Sequence, residues 1–118
     1  MDARALVQTG LLGEAIEGAP VLAFVADENR RYIAVNDYAC RLLGYTREEL
    51  LELTVEQIAR YGEAPGEYSE LVEQGVREGV SVLTRKDGMT FPFRYRASVV
   101  VVAGMDLYVS IGWPETLD

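Results

Sequence analysis

Histidine is absent from this chain, which removes the commonest general base, the usual zinc ligand and the usual proximal haem ligand together. A Ser-His-Asp triad and His-ligated haem are therefore excluded by composition. Cysteine occurs once, as Cys40, so there is no internal disulfide, which suits a reducing cytoplasm. Long apolar runs are also missing. Val99 to Ala103 is five residues, far short of the roughly 20 that a membrane helix needs, and no basic segment leads into an apolar one as in a secretory signal. Basic residues are scarce, 11 against 19 acidic for a net charge of −8, and neither nucleic acid nor anionic lipid attracts such a surface. With no internal repeat or low-complexity stretch, 118 residues at 49% hydrophobic predict one domain with its own core.

What is present is organised around Asn36 to Leu53, NDYACRLLGYTREELLEL. Ala39, Leu42 and Leu43 recur at helical spacing behind Asn36-Asp37, whose side chains supply oxygens to free helix N–H groups. Gly44 takes the left-handed position that ends a helix. Thr46 and Glu49 then read as a capping box opening a second helix, and Thr54 and Gln57 as another opening a third through Ile58. Three stubby helices in series cannot form a bundle and need a sheet to lie on.

Asn36, the apolar helix, Gly44-Tyr45 and Glu48-Glu49-Leu50, preceded by an apolar strand ending in Asp27, resemble the first half of a PAS sensor domain. Arg85-Lys86-Asp87-Gly88 followed by Phe91-Pro92 resembles that family's charged hairpin turn, and the likeness runs from about Ala19 to Trp113. It implies an α+β fold: a five-stranded antiparallel sheet of order 2-1-5-4-3, short helices on one face and an N-terminal helical cap. The expected organisation is a cap over residues 1–18, a core domain over 19–113 and a connector over 114–118.

In chain order, Leu6, Val7, Leu11, Leu12, Ala15 and Ile16 give the cap a loose helical pattern. Val21 to Ala26 and Arg31 to Val35 read as strands joined by a turn at Asp27 to Arg30. Tyr68, Leu71, Val72, Gly75 and Val76 recur as one face of a longer helix over Glu67 to Glu78, closed by Gly79. Val80 to Lys86, Thr90 to Ala103 and Asp106 to Trp113 read as three strands, with hairpin chemistry at Asp87-Gly88 and Gly104. Alternation along the long strand sends Phe91, Phe93, Tyr95, Ala97 and Val99 inward and Pro92, Arg94, Arg96 and Ser98 outward. By family register Tyr108, Ser110 and Gly112 also point inward. That leaves Val100, Val102, Leu107, Val109, Ile111 and Trp113 as an apolar row on the outer face, larger than monomers ordinarily expose, and predicts a homodimer through this face and the cap. A cap folded over its own sheet in a monomer is the alternative.

Few residues invite catalysis. Cys40 lies beside Arg41, which lowers a thiol pKa, but a small core or boundary residue is the weightier reading. Asp27, Asn29 and Arg31 have calcium-loop spacing, and Arg31 spoils it. Glu67, Glu70, Glu73 and Glu78 read as a solvated helix face. Flavin light sensors of the PAS class carry an Asn-Cys-Arg motif on the third short helix; Thr54, Val55 and Glu56 stand there instead, which contradicts cysteinyl-flavin photochemistry. No enzyme activity and no cofactor are expected.

The resemblance implies a ligand position between the inner sheet face and the short helices, lined here by Phe24, Leu42, Val55, Ile58, Tyr68, Val72, Phe93, Tyr95, Tyr108 and Ser110. Tyrosine hydroxyls converging on an apolar interior fit a small aromatic or carboxylated molecule. Two function classes follow: a sensory module whose ligand biases dimer contacts and an output domain or partner protein, or a protein–protein interaction module with a filled core and no ligand.

Overall fold

The computed structural model describes residues 3–60 and 75–115. Helix α1 (Ala3–Gly18) precedes strands β1 (Leu22–Ala26) and β2 (Tyr32–Val35); short helices α2 (Asp37–Leu43), α3 (Arg47–Leu50) and α4 (Val55–Ile58) follow. The chain then forms a two-residue strand β3 (Ala59–Arg60) and the long strands β4 (Val76–Thr84), β5 (Thr90–Val102) and β6 (Met105–Pro114). They make one sheet of order β2-β1-β6-β5-β4-β3, antiparallel throughout. The five longer strands stand in the expected order, and β3 adds a short edge beyond β4.

Local chemistry explains the three short helices. Asn36 caps α2, its Oδ1 accepting from Ala39 N at 3.2 Å, and Gly44 ends it at φ +79° with its N–H bonded to the Cys40 carbonyl. The α3 capping box is complete: Glu49 N donates to Thr46 Oγ1 at 3.1 Å and Thr46 N to Glu49 Oε1 at 2.9 Å. At α4 Gln57 Oε1 reaches back to Thr54 N, 2.9 Å away. Ala39, Leu43, Leu50, Val55 and Ile58 on these helices are buried against Phe24, Leu83, Phe93, Tyr95 and Ala97 of the sheet.

One expectation is corrected. Val76 to Glu78 do not continue a helix, and Gly79 does not close one: all four pair with β5, Val76 with Ser98 and Gly79 with Tyr95. Gly75, at φ +78°, immediately precedes the strand, and its carbonyl accepts from Val99 N. The cause is the length of β5, whose backbone groups from Tyr95 to Ser98 need a partner. The rest of the anticipated helix, including Tyr68, Leu71 and Val72, lies outside the described residues. At the other end Lys86 belongs to the hairpin turn, where Arg85 N donates to Met89 O and Gly88 takes φ +91°.

Candidate functional site

The inner face carries the first candidate. Phe24, Val55, Phe93, Tyr108 and Ser110 come together as expected, joined by Tyr32, Ala59, Leu83 and Ala97, around a cavity of about 30 Å³. Leu42, Ile58 and Tyr95 belong to the surrounding core without lining it. Rings fill much of the space: Phe24 lies 5.4 Å from Tyr32 and edge-on to Phe93 at 6.0 Å, and Phe93 stacks on Tyr95 at 5.9 Å. Gly112 permits this packing. A Cβ there would meet the Phe93 ring at 2.7 Å and Tyr95 Cα at 2.8 Å, and would collide with the Arg94 carbonyl. Small-molecule pockets run to roughly 300–1,000 Å³, so the space enclosed by these described residues is about tenfold below that range. The Ser110 hydroxyl at the cavity and the buried Ser81 hydroxyl have no hydrogen-bond partner among the described residues. Tyr32 was missed because a lone aromatic at the start of a strand has no partner in its own stretch; it is placed by Tyr32 N donating to Leu53 O.

The outer face carries the second candidate. Register puts Val100 opposite Leu107, Ser98 opposite Val109, Arg96 opposite Ile111 and Arg94 opposite Trp113, so the anticipated apolar row is formed. Trp113 is 52% exposed, Val102 47% and Val100 42%, and Val80 and Val82 of β4 extend the face. A strip of ion pairs crosses it, Arg96 with Glu78 at 2.7 Å and Arg94 with Glu115 at 2.6 Å. Helix α1 buries none of its residues, although Thr9, Leu12, Gly13 and Ile16 border an open groove of about 680 Å³ shared with Ala23, Val25, Val102, Val109 and Ile111. The helix stands over its own sheet without covering it.

Asn36 joins the two faces. It is 3% exposed, and its Oδ1 accepts from Ala23 N (3.1 Å) as well as Ala39 N, while Nδ2 donates to the carbonyls of Ile16 and Val21, both at 2.8 Å. One side chain thus fixes the end of α1, the start of β1 and the start of α2. Arg47 makes a second tie, its guanidinium bonded to the Glu17 carboxylate and, through Nε, to the Val35 carbonyl. Glu49 and Lys86, 2.5 Å apart, clasp α3 to the β4–β5 turn. The Lys86 ammonium and the Thr46 N–H hold the Glu49 carboxyl below its ordinary value.

Cys40 is a free, half-buried thiol. Burial raises its pKa, outweighing the lowering by Arg47, and Arg41 is turned toward Asp37 and the Tyr38 ring. The neighbour that sequence proximity nominated is not the one that acts on the sulfur. Among the described residues no group of three or more His, Cys, Asp or Glu is placed to hold a metal, and no helix is long and apolar enough to cross a membrane.

A family model described as a PAS domain matches residues 20–112. Among solved structures, the chain is similar to a PAS domain from a two-component sensor histidine kinase, with a TM-score of 0.84 at 16% identity over 94% of this chain and 99% of that one. It is also similar to the PAS domain of an HTR-like protein from Haloarcula marismortui, TM-score 0.80 at 21% identity over 95% of each chain. An RNA-binding light-oxygen-voltage receptor matches at TM-score 0.77 and 23% identity, over 98% of this chain and 35% of that one. No curated protein matches.

Proposed function

This chain belongs to the PAS domain family, a family of sensor and signalling modules, and from that premise we propose that it works by association: two copies pair through the outer sheet face and α1, and the geometry of that pairing is the signal passed to an output domain or partner protein. The observation that carries this reading is the unburied state of both surfaces, an apolar sheet face and a helix over it with no buried residue. At 16 residues α1 is barely longer than the roughly 12–15 below which an isolated helix is marginal in water, and Gly10 and Gly13 each weaken it by about 1 kcal/mol relative to Ala. A second copy supplies the packing it lacks. Inside, a cavity of about 30 Å³ among the described residues, well below the size of a small-molecule pocket, supports the filled-core reading over a drug-sized ligand, and no catalytic step is assigned. The single cysteine and acidic charge suit a cytoplasmic protein that avoids nucleic acid and membrane.

Sedimentation at micromolar concentration tests this: the wild type runs at twice its 13.1 kDa mass, and Ile111→Glu, which sets a carboxylate against an apolar partner, runs as a folded monomer. A wild type that sediments as a monomer overturns the proposal. The unpartnered Ser110 and Ser81 hydroxyls favour a second reading, in which a small polar molecule enters the inner cavity. Native mass spectrometry of freshly purified protein detects it as added mass.

A further inference from the structure

Helix α1 has two apolar sides, and its own sheet can use only one. Thr9, Leu12, Gly13 and Ile16 border the groove over the sheet. Arg4, Val7, Leu11 and Glu14 follow one another at three, four and three residues, the spacing of a single helix stripe. At about 100° per residue the two stripes lie roughly 170° apart. Val7 and Leu11 are 61% and 63% exposed, and among the described residues neither Arg4 nor Glu14 has an ion-pair partner. The outer stripe is therefore apolar at its centre, basic three residues before Val7 and acidic three residues after Leu11.

That arrangement is its own complement under a two-fold axis. Laid antiparallel, with the axis level with Thr9, one stripe sets Val7 against the partner's Leu11 and Arg4 against the partner's Glu14, and symmetry repeats both contacts. A parallel pair instead opposes arginine to arginine and glutamate to glutamate. Resting on the association reading above, we infer that α1 pairs antiparallel with the α1 of a second copy through Arg4, Val7, Leu11 and Glu14. Each helix is then packed between its own sheet and its partner, with two apolar contacts flanked by two ion pairs. A heterologous partner has no need of a stripe whose opposite charges stand at equal distances either side of its centre, which is why a second copy is the occupant.

The test is charge exchange in the full chain, followed by sedimentation over a concentration series at low salt. Arg4→Glu and Glu14→Arg each turn two attractions into two repulsions, and each is expected to weaken the dimer roughly 10-fold, by less at high salt. The double variant Arg4→Glu/Glu14→Arg restores wild-type association, because the exchanged charges again meet their opposites. Both positions are solvent-exposed, and circular dichroism confirms that every variant is folded. Singles that associate like the wild type overturn the antiparallel seam, and if Ile111→Glu still separates the subunits the outer-face proposal stands without it. Two weakened singles with no recovery in the double variant also overturn the pairing, and a monomeric wild type removes both proposals.

Discussion

Replacing Asn36 by Ala removes four hydrogen bonds at a site 3% exposed. The Val21 carbonyl loses its donor and the Ala23 and Ala39 N–H groups their acceptor, while the Ile16 carbonyl keeps only the bond from Ala19 N at 3.3 Å. A buried group left without a partner costs about 1–3 kcal/mol. The open groove beside Asn36 and Ile16 admits water that offsets part of the sum at the Ile16 carbonyl, so the expected loss is roughly 3–5 kcal/mol. For a chain of 118 residues each kcal/mol lowers Tm by about 3–5 °C, which places the variant some 10–20 °C below the wild type. Thermal unfolding followed by far-UV circular dichroism measures this. Limited proteolysis at the α1–β1 junction supplies a second readout, because loss of the bond to Ile16 leaves the end of α1 held only by Arg47 with Glu17 and Ala19 N and hastens cleavage near Gly18. A drop of less than 3 °C, with the junction as resistant as before, would falsify the view that Asn36 holds the two faces together.

Three further outcomes follow from particular contacts. Gly112→Ala forces a methyl group into the Phe93 ring and the Arg94 carbonyl and should cost at least ~3 kcal/mol in urea unfolding; a change under 1 kcal/mol contradicts the packing described. Ala103 sits at φ +51° beside Gly104 at φ +79° in the β5–β6 turn, where Asn is preferred, so Ala103→Asn should stabilise by roughly 0.5–1 kcal/mol, and a destabilised variant would contradict it. Glu49 has a lowered folded-state pKa, chiefly through Lys86. Its contribution is present above the unfolded carboxyl value of about 4.3 and is lost as pH falls through the folded value. The Lys86→Met variant should therefore show a shallower loss of stability below pH ~4 than the wild type, and parallel curves would show that the clasp does not titrate.

Legibility in the sequence followed the range of the interactions. Thr46 with Glu49, and Gly44 at the end of α2, are decided within four residues, and they formed as their spacing indicates. The parity of β5 was equally plain, because a strand with one buried face must alternate. The start of β4 was not. Leu71, Val72, Gly75 and Val76 fit a helical period, while what places Val76 to Glu78 in the sheet is Arg96 to Ser98, some twenty positions away. The inner cavity was half readable: register brought Phe24, Phe93, Tyr108 and Ser110 together, but its size depends on how far Phe93 leans across Gly112, which no period encodes. The environment of Cys40 was unreadable for a similar reason, since Arg47 reaches it only after the chain has turned at Gly44.

The place of β6 in the middle of the sheet has a kinetic consequence. It pairs with β1 from Leu22 opposite Gly112 to Ala26 opposite Tyr108, so the first of the described strands waits for the last of them. Until β6 arrives, the β1 side of the β1–β2 hairpin is an unpaired edge in addition to β2, and the β4–β5 hairpin, joined by a tight turn, is free to form by itself. Closure of the sheet over so long a loop is slow for topological reasons. A nascent chain at that stage exposes strand edges able to recruit the wrong neighbour, so the order in which strands leave the ribosome sets when this domain is most exposed to misassembly.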